Sequence, residues 1–314
     1  MKIHQLLERP TPAMAGALAE FEKPFTYPLG PGKYFRISHG EDYTLFFRAQ
    51  GIGACFVAEQ EDRIIGALGT AIRRLWMPDG TERLAAYFGD LKIATEARGG
   101  SVLLRMARAA EAWLRPKVDM GFGVVMGGTS LLPEAYTGRA GIPDFRAVGR
   151  LAILRISGNP TPKSDPNLFL TNREAGLAAY QRLSSGRHAC PVGETEKRSE
   201  ITPVWLVSSD GRAVGMLEDT RKAKRLITGE GPEMLSAHLT CFAYSSAVTA
   251  AELIRVALQH AISLGLPALF LSVTEQDSSE LRDSLSGVDV LPAPAIVYGT
   301  GLAKGDWNIN TAEI

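Results

Sequence analysis

Residues 96–104 read EARGGSVLL, an arginine and two glycines placed between an apolar stretch and a segment of helical spacing. That combination can hold an anion. The first backbone N–H groups of a helix have no internal partner, and the helix dipole is positive there. Glycines let a backbone come close to a phosphate, and Arg98 adds charge. The same residues also make a tight strand-to-helix turn, so the surrounding elements must decide between the two.

Those elements can be read from pattern. Cys55–Glu59 and Ile64–Trp76 are apolar and strand-like, joined by a polar turn at Gln60–Arg63. Pro78-Asp79-Gly80 is a strong turn signal, and Glu82–Thr95 is a third strand, which makes an antiparallel meander. A helix follows from about Ser101 to Leu114. Leu103, Met106, Ala107, Ala110, Trp113 and Leu114 recur on one of its faces. Phe122–Met126 reads as a short strand, Glu134–Arg139 as helical and Ala147–Ile156 as a final strand.

The pattern then recurs. FVAEQEDRIIGALG at residues 56–69 matches WLVSSDGRAVGMLE at 205–218, so that Gly66 aligns with Gly215 at an offset of 149. The same offset pairs Leu104 with Leu253, Phe122 with Leu271 and Val124 with Val273. Such spacing implies two copies of one fold. The second copy has its turn at Ser209-Asp210-Gly211 and a helix with a capping box, Thr249 at the cap and Glu252 three residues on. Ile254, Ala257, Leu258, Ala261 and Ile262 form its apolar stripe, and Gly265 and Pro267 end it. Ala268–Val273 and Ala295–Tyr298 are its last strands. Residues 158–170, rich in Pro, Ser and Asn, read as the linker.

Composition narrows the function. Lys plus Arg and Asp plus Glu both total 34, so no global field attracts nucleic acid or an anionic membrane. Cys55, Cys190 and Cys241 are far apart and form no CxxC pair, against a disulfide framework or a zinc site. The five histidines are equally scattered, and no metal is expected. The N-terminus lacks the apolar core of a signal peptide, and no run approaches the ~18 apolar residues of a membrane span. A cytoplasmic protein is expected.

A meander ending in this turn, then a helix and a parallel strand, resembles the GNAT superfamily of N-acetyltransferases. That family carries Q/R-x-x-G-x-G/A at this junction. Arg98 matches its first position, while Ser101 and Leu103 stand where the family has small residues. DLKIATEARG is similar to the family's strand ending in Pro-Glu-x-Arg-Gly, with Glu96, Arg98 and Gly99 in place. The resemblance implies an α+β fold of two tandem GNAT-like domains, 1–157 and 158–314, each a mixed, mostly antiparallel sheet flanked by helices. It implies an acetyl-CoA or other acyl-CoA co-substrate. Backbone groups of Ile93, Ala94 and Thr95 would meet the pantetheine arm. Arg98, Gly99, Gly100, Ser101, Val102 and Leu103 would hold the pyrophosphate. It further implies Asp90 as the carboxylate that takes the amine proton and Tyr136 as the acid for the leaving thiolate. A solvent-facing Asp90 and a surface Tyr136 are the plain alternatives.

The repeat supplies a control. Residues 245–253, SSAVTAAEL, have neither the arginine nor the glycines, so the second copy keeps the fold without the loop and is expected to be structural or to shape the acceptor site. The basic run Arg221–Arg225 reads as a solvated strand edge. Tyr34, Phe35, Tyr43, Phe46 and Phe47 are expected in packing helices beside the acceptor. The expected activity is acyl transfer to a small-molecule or peptide amine, without membrane or nucleic acid; a homodimer stays open. The alternative is a non-catalytic acyl-CoA-binding or sensing protein that retains the fold.

Overall fold

The structure is a computed structural model. It describes residues 1–30, 33–129, 131–162, 165 and 169–314, so 163–164 and 166–168 of the expected linker lie outside the described residues. Strands and helices are numbered in chain order. The main sheet runs β1 (Lys2–Leu6), β4 (Ile52–Gln60), β5 (Arg63–Trp76), β6 (Glu82–Ile93), β7 (Gly121–Met126), β16 (Asp289–Thr300), β8 (Arg146–Ser157), β15 (Ala268–Thr274), β14 (Ala237–Tyr244), β12 (Ala213–Glu218), β11 (Val204–Val207) and β9 (Leu170–Thr171). The short strands β10 (His188–Ala189) and β17 (Trp307–Asn308) pair beside it. A second sheet holds β13 (Arg225–Thr228), β3 (Lys33–Ser38) and β2 (Tyr27–Gly30). The seven α-helices among the described residues are α1 (Pro12–Glu22), α2 (Leu45–Arg48), α3 (Val102–Leu114), α4 (Arg173–Leu183), α5 (Thr195–Arg198), α6 (Ala247–Ser263) and α7 (Ser278–Ser284). None is long and apolar enough to cross a membrane.

The fold is a large, mostly antiparallel mixed sheet flanked by helices, and one sequence of pairings occurs twice. β4, β5 and β6 form an antiparallel meander, and β7 then pairs parallel to β6 after α3. β11, β12 and β14 repeat the meander, and β15 pairs parallel to β14 after α6. The ends are exchanged. β16, from the C-terminal half, lies on β7, and β8, from the N-terminal half, lies on β15; β8 and β16 pair with each other at the centre. Strand periodicity joins the cores there. Leu151 and Ile153 of β8 enter the core with Phe122 and Trp307, while the alternate residues Ala152, Leu154 and Ile156 enter the core with α6.

Local differences have physical causes. Gly138 and Gly141, at φ 72° and 83°, and Ala140 at 54° break the expected helix Glu134–Arg139, which is only a 3-10 turn at Pro133–Ala135. The cap of α6 is Ser246, whose hydroxyl accepts from the Thr249 N–H; the Thr249 hydroxyl instead donates to Asp210. Ile262 falls outside the buried stripe. β16 begins six residues before the expected Ala295, because Pro292 and Pro294 hide its start. Those prolines pair with β8, and the ladder to β7 begins only at Ala295, with the Pro294 carbonyl accepting from the Gly127 N–H just past β7. Tyr34 and Phe35 lie in β3 rather than a helix.

Candidate functional site

β6 and β7 stay paired only from Ala86↔Gly121 to Phe88↔Gly123. Beyond that rung they part. β6 bulges at Asp90, where φ is 58° and two residues span the width of one on β5. From Gly89 to Ile93 the β7 side of β6 is unpaired, while Val124–Met126 pair with β16 instead. The result is a wedge whose β6 wall leads through the 3-10 turn Thr95–Ala97 to the start of α3.

That helix start is open. Of the four helices of eleven residues or more among the described residues, α1, α4 and α6 are capped by the side chains of Thr11, Asn172 and Ser246. At α3 the Ser101 position makes no such bond. Its first amides are left for another partner, in the position that favours an anion. Gly99 turns the chain at φ 79°, a conformation that a Cβ disfavours. Arg98 bonds through Nε to the Ile93 carbonyl, 3.3 Å away, and is exposed. With Gly100, Ser101, Val102 and Arg105 it lines a cavity of about 340 Å³. Leu103 is half-buried.

Asp90 points to the opposite face of the sheet from α3, and it is not solvent-facing: its side chain is 8% exposed. Its Oδ2 accepts from the Tyr43 hydroxyl and the Lys92 ammonium, each at 2.9 Å, and lies 3.4 Å from His39 Nε2. Glu22, at the end of α1, bonds His39 Nδ1 at 2.7 Å and Lys92 Nζ at 2.8 Å. Burial would push the Asp90 carboxyl up, but Lys92 and His39 hold it down at about 2. Burial likewise opposes ionisation of Glu22, yet His39 and Lys92 hold its carboxyl below the usual range. The ligand atoms of Glu22, His39 and Asp90 lie within 4.8 Å of one another, a spacing that suits a cation. The Lys92 ammonium already supplies that positive charge.

The β3–β13 ladder ends at Ser38↔Arg225, which sets His39 and Lys224 just past its last rung. Lys224 is therefore buried rather than on the solvated edge expected for the basic run. Its ammonium donates to the Ile314 carbonyl and lies 4.5 Å above the Phe46 ring. Burial lowers its pKa to about 8, with Asp90 pulling partly the other way. Glu22, His39, Lys92 and Lys224 escaped the sequence reading, which saw scattered histidines and a basic edge. The one available signal was Lys92, two residues from Asp90 and so on its face of the strand.

Tyr136 sits apart from these groups. It is half-buried just after the Pro133–Ala135 turn, and burial, then Tyr298 and Glu134, raise its hydroxyl to about 12. Thr137, its neighbour, accepts from the Phe145 N–H, and the Phe145 ring meets Phe88 edge-on at the root of the wedge.

The second half has the same wedge, but filled. β14 and β15 pair only at Ala237↔Leu269 and His238↔Phe270, and Cys241 repeats the positive φ of Asp90. Residues 309–311 bridge the gap. Asn310 Oδ1 accepts from the Cys241 N–H at 2.8 Å, Thr311 Oγ1 meets His238 Nδ1 at 3.0 Å, and Ser272 donates to the Ile309 carbonyl.

No protein-family model and no curated protein matches the sequence. Solved structures do. The N-myristoyltransferase of Saccharomyces cerevisiae with bound myristoyl-CoA superposes with a TM-score of 0.66 at 10% identity, over 99% of this chain and 87% of that one. GCN5-related N-acetyltransferases from Kribbella flavida and Anabaena variabilis match with TM-scores of 0.52 and 0.51 at 11% identity. Each covers 94% of this chain, and 70% and 72% of their own. The chain shares the fold of these N-myristoyl- and N-acetyltransferase structures. At such identities the likeness fixes the fold alone.

Proposed function

We propose that the protein is an N-acyltransferase that moves an acetyl or longer acyl group from acyl-CoA to an amine. One observation carries the reading: the open wedge between β6 and β7 leads to the uncapped start of α3 beside Arg98, while the matching wedge of the second half is filled by residues 309–311. The pyrophosphate would lie on the amides from Arg98 to Leu103, and the pantetheine arm along Ile93, Ala94 and Thr95. The thioester would then reach the bulge, with Asp90 on the acceptor side. Residues 1–157 would supply the cofactor site, and 158–314 would close the acceptor side and hold the chain's end.

The solved N-myristoyltransferase with its bound myristoyl-CoA supports an acyl-CoA as co-substrate. Calorimetric titration with acetyl-CoA and myristoyl-CoA tests it, together with release of free thiol on adding amines. Ligand at ~100 times its Kd should add about 2.7 kcal/mol of stability. Absence of binding by either thioester rejects the reading. Binding without thiol release on any amine favours an acyl-CoA sensor.

A further inference from the structure

We infer that His39 is the group that takes the proton from the acceptor amine, with Glu22 as its positioning residue and Asp90 as the carboxylate that guides the ammonium to it. The inference rests on the acyltransferase reading and adds the identity of the base.

The geometry separates the roles. Asp90 has two donors within 2.9 Å, Tyr43 and Lys92. A carboxylate so well satisfied attracts an ammonium but holds a proton poorly. His39 is placed differently. Its Nδ1 is tied to Glu22 at 2.7 Å, and the Glu22 carboxylate also accepts from the His39 backbone N–H at 3.1 Å, so ring and backbone are fixed together. Its Nε2 is buried and has no hydrogen-bond partner. A buried ring nitrogen without a partner is costly, and here it stands 3.4 Å from Asp90 Oδ2. The charges agree. Glu22 and Asp90 place two carboxylates around the His39 ring against the one ammonium of Lys92 bonded to them. Tyr43 and Tyr27 face the same groups with hydroxyls raised by burial, and Lys224 approaches from the second half.

Access comes from outside. His39 lines a cavity of about 470 Å³ with Ser38, Gly40 and Leu45 and with charges of both signs, Arg9, Arg221, Lys222, Lys224 and Arg225 against Glu41, Asp42 and Glu200. In the proposal the ammonium comes from this side and must part the lining to reach the buried Nε2 and, beyond it, Asp90. It gives one proton to His39, and the free amine attacks the thioester carbonyl. A C–N bond forms and the C–S bond breaks. The nitrogen's second proton leaves with the coenzyme A thiolate, so the products are amide, free thiol and one imidazolium, which then returns its proton to solvent.

The test is the pH profile of kcat/KM for the amine, with acyl-CoA affinity measured alongside. The probes are acetyl-CoA with a diamine, an amino acid and a peptide bearing a free amino terminus. For His39→Gln, kcat at pH 7 should fall at least a hundredfold while acetyl-CoA Kd stays within threefold. The residual rate should climb about tenfold per pH unit, with no plateau. Glu22→Gln removes a negative charge beside the ring but keeps its shape. It should move the inflection of the profile to lower pH, which a merely structural role does not do. Should His39→Gln not fold, that shift alone decides. An unmoved inflection in Glu22→Gln, or a His39→Gln profile within twofold of the parent, overturns the assignment while leaving the acyltransferase reading intact. A parent protein that binds neither thioester, or turns over none of the three amines, removes both.

Discussion

The two glycines of the proposed anion site have different backbones. Gly99 needs the positive φ that a Cβ disfavours, whereas a Cβ at Gly100 meets only the Ala97 carbonyl, at 3.4 Å. Gly100→Val should therefore fold normally and act by obstructing the approach of phosphate. Acetyl-CoA Kd should rise at least tenfold by calorimetry, and Ala247→Val, at the start of α6 in the second half, should leave it within threefold. An equal effect of the two changes would show that the loop is only a turn. Tyr136→Phe keeps the ring and removes the hydroxyl. If that hydroxyl protonates the leaving thiolate, kcat falls at least tenfold with Kd nearly constant, since positioned acids contribute roughly 10²–10⁴-fold. An unchanged kcat assigns Tyr136 to packing with Tyr298 and Glu134.

At the scale of elements, the two long helices that follow the meanders do different work. Both bury an apolar stripe, but α6 is sealed by Ser246 and α3 is left open. Ser246→Ala should cost about 1 kcal/mol of stability in urea unfolding without altering acyl-CoA affinity. Met106 is fully buried against the β4–β5 hairpin, where Gly66 leaves room for it. Met106→Ala should cost about 2–5 kcal/mol in the same experiment. The stripe of α3 was legible because periodicity reports burial. The cap of α6 was not, because Ser246 and Thr249 are both good caps, and the Asp210 turn decides which hydroxyl is free.

Across the whole molecule, Glu313 ties the halves together. Its carboxylate accepts from Arg73 of β5 at 2.5 Å and from Arg198 of α5 at 2.8 Å, with Asn310 and the Gly193 N–H completing it. Arg198 also grips Glu218. All of these side chains are buried, so Glu313→Gln should cost about 3–5 kcal/mol by leaving arginine charge uncompensated. Burial opposes ionisation of Glu313, but Arg73 and Arg198 hold its carboxyl down at about 2. A carboxyl depressed in the folded state stabilises above its ordinary value of 4.5 and loses that contribution as pH falls towards 2. Melting temperatures should therefore drop through that window, and Glu313→Gln should flatten the drop. A parent curve unchanged from pH 5 to 2.5 would contradict the network.

The sequence by itself determined the meanders, the main helices, the 149-residue echo and the glycine turn before α3. Each is a local pattern: alternation along a strand, a stripe on a helix, a glycine where the chain turns. Only the tertiary structure decided three further things: that the last strands are exchanged at the centre, that residues 309–311 fill the second wedge, and that Glu22, His39, Asp90 and Lys92 meet. Those four come from α1, the end of β3 and the bulge of β6, as many as 70 positions apart. Local periodicity carries no information about which distant segments pack together. That is settled by burial: charged groups taken from water must find one another, and an open sheet edge must find a strand.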